Sequence, residues 1–115
     1  MNGQTEVEAL LKEYVPWSHE LFGENVLDKI SGIGESFIQT HDAQKEKFLF
    51  NLLKNKNKPV IFLSLYYLLK AQKQNIQLQK ETTEALREIK HSKTPKKQLL
   101  FQCVEKRLKK EAIST

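Results

Sequence analysis

The sequence predicts an all-α fold, a four- or five-helix bundle with one long central helix at about residues 59–90. Apolar residues recur at helical spacing in several segments, and the strict alternation of strands is missing. The chain has 4 glycines and 3 prolines, so few tight turns can form. No Gly or Pro lies between Pro59 and Pro95, so nothing in that stretch excludes an uninterrupted helix.

Length and composition suit one domain, and we assign residues 1–115 to a single helical domain. Apolar residues make up 39% of the chain, which is enough for one modest core. The single cysteine, Cys103, cannot form an internal disulfide, which favours a reducing, cytoplasmic setting. The acidic N-terminus lacks the basic residues and apolar run of a signal peptide, so we expect none.

The first helix is predicted close to the N-terminus. Thr5 and Glu8 have the spacing of a capping box, in which each side chain bonds the backbone of the other residue. Pro16 should end this helix, since it has no N–H and forces the preceding residue out of helical geometry. Its apolar face is predicted to contain Val7, Leu10, Leu11, Tyr14 and Val15.

Residues 17–38 are predicted to form one broken helix or two short ones. Gly23, Gly32 and Gly34 interrupt the apolar period, and each costs about 1 kcal/mol relative to Ala inside a helix. We therefore expect a loop near residues 32–34.

A third helix should follow, capped by Thr40 or Asp42. It is predicted to end in a polar turn at residues 55–58. Its apolar face consists of Phe48, Leu49, Leu52 and Leu53.

The central helix should begin at Pro59, which is well suited to a first helical turn. Its apolar run, residues 60–69, is about half the length needed to cross a membrane, so we expect it to lie in the core. Beyond that run apolar residues are sparse but keep a weak seven-residue repeat, which predicts pairing with another helix or with a second copy as a dimer. The candidate partner-binding residues are Tyr66, Ile76 and Leu86.

The last helix should be capped by Thr94 and begin at Pro95. We expect Cys103 to lie on its apolar stripe as a buried, unreactive thiol. The stripe is predicted to contain Leu100, Cys103, Val104 and Leu108, flanked by Leu99 and Phe101.

The charge is distributed unevenly along the chain. Residues 1–44 hold 2 basic and 8 acidic groups, a net charge of −6, whereas residues 45–115 hold 17 basic and 6 acidic groups, a net charge of +11. Such a surface can bind the backbone of DNA or RNA by releasing counterions. Because 17 of the 19 basic residues are lysine, we expect little sequence specificity. The candidate nucleic-acid-binding residues are Lys96, Lys97, Lys106, Arg107, Lys109 and Lys110.

Residues that could carry catalysis are scarce. His19, His41 and His91 do not have the spacing of metal ligands, and the adjacent triplet 18–20 would point its side chains in different directions. We therefore expect no enzyme, metal or cofactor.

The pattern favours a non-catalytic accessory or regulatory binding protein, with helix-mediated protein contacts and a basic half that contacts nucleic acid. The alternative is a protein-only interaction module, such as an inhibitor, immunity protein or chaperone, whose lysines serve solubility.

Overall fold

The computed structural model describes residues 3–15 and 26–114, with the side chains of residues 7–15 and 26–112. All regular structure in these ranges is α-helical, which confirms the predicted fold class. The helices in these ranges number six, more than the predicted four or five. The six helices are α1 (Gly3–Tyr14), α2 (Val26–Thr40), α3 (Ala43–Leu52), α4 (Lys58–Lys73), α5 (Lys80–Lys90) and α6 (Pro95–Ser114).

Helix α4 lies at the centre of the bundle, where α2, α3 and α6 all pack against it. Helix α1 packs on α3 and α2, and α5 packs on α6. The apolar run predicted for the core does lie there, since Val60, Leu65 and Leu68 are fully buried. Burying one such side chain contributes about 1.5–3 kcal/mol, so this run supplies much of the driving force for folding.

The predicted long helix at residues 59–90 is instead two helices, α4 and α5, joined by residues 74–79. Asn75 takes a left-handed conformation with φ of 63°, which Asn tolerates better than most residues. The Asn75 N–H donates to the Gln72 carbonyl at 3.0 Å, and the Ile76 N–H donates to the Ala71 carbonyl at 2.9 Å. These two bonds form a Schellman motif, and the apolar residue that follows its left-handed position, Ile76, is buried.

Helix α2 runs without a break through Gly32 and Gly34, so the loop predicted at residues 32–34 is wrong. Gly34 is buried, and a Cβ atom there would overlap Cγ, Cδ2 and Cε2 of Tyr67 on α4. The glycine therefore allows two helices to approach closely and does not mark a turn. Gly23 and the rest of residues 16–25, including the predicted stop at Pro16, lie outside the described residues.

Two other helix starts can be compared with the sequence predictions. Helix α1 begins at Gly3, so the start predicted at Thr5 is wrong. Of its predicted apolar face, Val7, Leu11 and Val15 are buried, and the other two residues are half-buried. Helix α3 is capped by Asp42, whose carboxylate accepts from the backbone N–H groups of Gln44 at 2.7 Å and Lys45 at 3.2 Å. The predicted apolar face of α3 is confirmed, since all four of its residues are buried: Phe48, Leu49, Leu52 and Leu53.

Helix α6 begins at Pro95, as predicted, and the Thr94 carbonyl accepts the hydrogen bond of its first full turn from the Gln98 N–H at 3.2 Å. The predicted apolar stripe is partly wrong, because Cys103 is exposed. The residues that α6 buries in the core are Phe101, Val104 and Leu108. A buried phenyl ring removes far more apolar surface from water than a thiol does, so the helix turns Phe101 inward.

Candidate nucleic-acid interface

The end of α5 and the whole of α6 carry a dense group of basic side chains. Residues 87–112 contain 9 basic and 3 acidic residues, a net charge of +6. All nine basic residues are exposed, and we call them the basic surface: Arg87, Lys90, Lys93, Lys96, Lys97, Lys106, Arg107, Lys109 and Lys110.

The positions along α6 decide which of its basic residues share a side. A helix turns by about 100° per residue, so Lys96, Lys106, Arg107 and Lys110 fall on an arc of about 100° on its outward side. Lys109 lies about 60° beyond one end of that arc by the same spacing. Lys97 falls in line with the buried stripe and is exposed on the first turn of the helix. Five of the six predicted residues on α6 therefore face broadly outward, and Lys97 stands apart.

The acidic N-terminal helices and α6 have mostly different neighbours. Helices α1 and α2, which carry most of the acidic N-terminal residues described, pack on α3, and α2 also packs on α4. In the described part of the chain, α6 packs chiefly on α4 and α5. The positive charge of α6 is therefore not neutralised by broad contact with the acidic helices.

Arg107 also contacts α4, and this contact helps to hold α6 against that helix. Its Nε lies 3.4 Å from Oε2 of Glu111, and its guanidinium lies 5.1 Å from the centre of the Tyr66 ring. The Tyr66 hydroxyl donates to the Glu111 carboxylate, with distances of 2.7 Å and 2.8 Å to its two oxygens. Arg107 is thus held in place by an acidic and an aromatic partner.

This contact changes the proton affinity of both partners. Burial, together with the hydrogen bond to Glu111, raises the pKa of Tyr66 above its ordinary value of 10.0. The hydrogen bond from Tyr66 lowers the pKa of the Glu111 carboxyl, with help from Arg107 and Lys70, while partial burial opposes the change. The neutral tyrosine and the charged carboxylate are therefore the stable forms over a wide pH range.

Tyr67 makes the corresponding contact on the other side of α4. Its hydroxyl donates to Oε2 of Glu35 on α2 at 3.1 Å. Burial and the nearby Glu35 carboxylate raise the pKa of Tyr67 to about 12. The adjacent rings of Tyr66 and Tyr67 meet edge to face with centroids 4.9 Å apart. The pair therefore ties α4 to α6 on one side and to α2 on the other.

The residues predicted to bind a partner lie inside the bundle. Tyr66 is 6% exposed, Ile76 8% and Leu86 2%. Their apolar surface is already used within the chain, so a partner could reach it only if α4, α5 and α6 separated. Binding through these three residues and self-association through residues 70–90 stay predictions.

The described residues also bear on two other kinds of site. Among the described residues, no group of three or more His, Cys, Asp or Glu side chains is placed to hold a metal ion. None of the helices in the described ranges is long and apolar enough to cross a membrane. No protein-family model matches the chain, and comparison with curated proteins and with solved structures gives no match either.

Sequence reasoning found the basic residues but missed how the fold combines them. Lys73, the last residue of α4, is not among the predicted binding residues. It nevertheless lines one groove, between α4, α5 and α6, together with Arg87 and Lys90. No local pattern in the sequence joins them, because Lys73 comes near Arg87 and Lys90 only through the packing of α4 and α5 on α6.

Proposed function

We propose that this protein is a non-catalytic binding protein whose basic surface contacts the phosphate backbone of nucleic acid without strong sequence preference. The observation that carries the proposal is the basic surface itself, with a net charge of +6 over residues 87–112 and all nine basic side chains exposed. The packing of α6 chiefly on α4 and α5, and not on the acidic helices α1 and α2, supports it further.

The binding would be driven by electrostatics. Each phosphate that a lysine neutralises releases condensed counterions, so the logarithm of the binding constant falls with the logarithm of salt concentration. The slope is about −0.9 for each phosphate contact on duplex DNA and about −0.7 on single strands. Exposed lysines bind as point charges and do not form the bidentate contacts to bases that arginine makes, so binding should depend little on sequence.

The experiment is a salt titration of binding to unrelated DNA duplexes and RNA strands. The test variant replaces Lys96, Lys106 and Lys109 with Gln, which keeps helix propensity nearly unchanged and removes three charges from α6. If all three contact phosphates, the slope for duplex DNA should become less steep by about 2.7. Affinity should fall by a similar factor for every sequence tested.

The matched control replaces three exposed lysines on other elements with Gln: Lys12, Lys56 and Lys80. It changes the net charge equally and should leave the slope close to that of the wild type. An equal loss of slope in both variants would contradict a defined binding surface. Absence of binding by the wild type at low salt would overturn the proposal and favour the protein-only interaction module, with the lysines serving solubility.

A further inference from the structure

A groove lies between α4, α5 and α6. Both α4 and α5 pack on α6. They pack on each other much less closely, because residues 74–79 separate them. The space between them has a volume of about 470 Å³, which is within the range that small-molecule sites occupy. Its base is formed by the side chains of Leu69, Leu86, Phe101 and Leu108.

The rim of the groove is polar and mostly basic. Lys73, at the end of α4, faces Arg87 and Lys90, at the end of α5, and the only acidic residue on the rim is Glu105. Within the part of the chain that the structure describes, none of these three basic side chains forms an ion pair. Three exposed cations thus surround one opening without an acidic partner from the described residues.

Some of this charge offsets the partial negative charge of the helix C-termini. Lys73 and Lys90 are the last residues of α4 and α5, and each helix end carries about half a negative charge. Three positive charges, less Glu105 and about one charge for the two helix ends, leave about one net positive charge at the rim. An apolar base below a rim with this net charge suits a ligand that is apolar at one end and anionic at the other.

We propose that this groove binds a small amphipathic anion, with its phosphate or carboxylate group between Lys73, Arg87 and Lys90 and its apolar part against Leu69 and Leu108. This goes beyond the proposed function, because the site takes a single small molecule and not a polymer backbone. It does not depend on Lys106 or Lys109, so one proposal can fail while the other stands.

The experiment uses NMR on the full-length protein, labelled with ¹⁵N. The probes are hexyl phosphate and hexanoate. Inorganic phosphate and hexanol, which represent the anionic and the apolar part of hexyl phosphate, are tested separately. Hexyl phosphate should produce saturable shifts of the amides of residues 69–73, 83–91 and 101–108. If the ligand is a phosphate ester, hexyl phosphate should bind more tightly than hexanoate; the reverse order would identify a carboxylate. Either half alone should bind at least tenfold more weakly than the better probe.

Two variants test the position of the ligand. Arg87→Gln should raise the apparent Kd for hexyl phosphate about tenfold, since a hydrogen bond to a charged group contributes strongly to binding. Thr83→Phe fills the groove from α5 and keeps every charge, and it should abolish binding. Lys80→Gln is the control, because Lys80 is exposed on the same helix, lies outside the basic surface and does not line the groove.

The proposal is overturned if hexyl phosphate gives no saturable shifts at concentrations up to about 10 mM, which is tenfold above a weak Kd of about 1 mM. It is overturned equally if inorganic phosphate matches hexyl phosphate, since the apolar base would then contribute nothing. Unchanged binding by Thr83→Phe, with a wild-type thermal transition, would place the anion on the surface and not in the groove.

Discussion

Tyr66 and Tyr67 show how two neighbouring residues can join three helices. Each hydroxyl donates to a carboxylate on a different helix, Tyr66 to Glu111 on α6 and Tyr67 to Glu35 on α2. A net contribution of about 1–3 kcal/mol is typical of a hydrogen bond to a charged group. Because both rings are buried, ionising either hydroxyl would place a negative charge beside a carboxylate within the bundle.

The raised pKa values of these tyrosines predict a loss of stability at alkaline pH. Both pKa values lie above the ordinary 10.0, so the folded protein keeps protons that the unfolded chain releases. The resulting stability is fully present below pH 10 and is lost as the pH rises toward the folded pKa, which for Tyr67 is about 12. In this window each tyrosine should lower the free energy of unfolding by up to about 1.4 kcal/mol per pH unit.

The free energy of unfolding in urea is measured from about pH 8 to about pH 11, a range that spans the ordinary tyrosine pKa of about 10. The double variant Tyr66→Phe/Tyr67→Phe should be less stable than the wild type at the lower end and should fall less steeply at the upper end. Tyr14→Phe is the control, since Tyr14 lies on α1 and bonds to neither Glu35 nor Glu111. Parallel curves for the wild type and the double variant would show that the prediction is wrong.

At the scale of elements, α5 is held at its beginning by a residue of α3. Glu46 is 4% exposed, and its Oε2 accepts from the Gln79 backbone N–H at 2.8 Å and from the Thr82 hydroxyl at 2.7 Å. A carboxylate at this position also interacts favourably with the positive end of the helix dipole. Glu46 therefore performs the capping role that the Gln79 side chain, which makes no cap bond, does not.

Replacing Glu46 with Gln should loosen α5 more than it affects the rest of the bundle. The change removes the negative charge near the helix N-terminus and weakens two hydrogen bonds, at a cost of about 1–3 kcal/mol. Hydrogen exchange should show faster exchange of the amides of residues 83–90, with smaller changes in α2 and α3.

The matched control for this prediction is Glu81→Gln, a change of the same kind in the first turn of α5 itself. Glu81 pairs with Lys47 at 3.1 Å, but both side chains are exposed, and such pairs contribute about 0–1 kcal/mol. Its effect on exchange in α5 should be small. If both variants change hydrogen exchange in α5 equally, Glu46 does not stabilise the start of α5 as its contacts indicate.

At the scale of the whole molecule, the basic helix α6 packs chiefly on α4 and α5 and not on the acidic helices α1 and α2. If the basic surface contacts nucleic acid, only that side should be covered in the complex. We expect lysine acetylation at low salt, read by mass spectrometry, to slow several-fold at Lys96, Lys106 and Lys109 when duplex DNA is added. Lys12, exposed on α1, should react as it does without DNA. Equal protection of Lys12 would mean that the molecule binds in no fixed orientation.

Much of the candidate interface could be predicted because it depends on composition and on helical spacing. The lysines of α6 were identified from the sequence, since a charged residue beside an apolar stripe faces water in almost any packing. The contacts of the Arg107 side chain could not be predicted in the same way. Its ties to Tyr66 and Glu111 depend on how α4 and α6 pack, and no local pattern contains that information.

The sequence alone establishes the helical fold class, a cap at Thr40 or Asp42, the start of α6 and the burial of most of residues 60–69. These features follow from propensity, local hydrogen bonding and the amount of apolar surface, which act within a few residues along the chain. Only the tertiary structure decided that Asn75 ends α4 and that Gly34 belongs inside a helix. Both outcomes depend on distant partners, because Ile76 gains burial in the core and the Tyr67 ring needs the space that a side chain at Gly34 would fill.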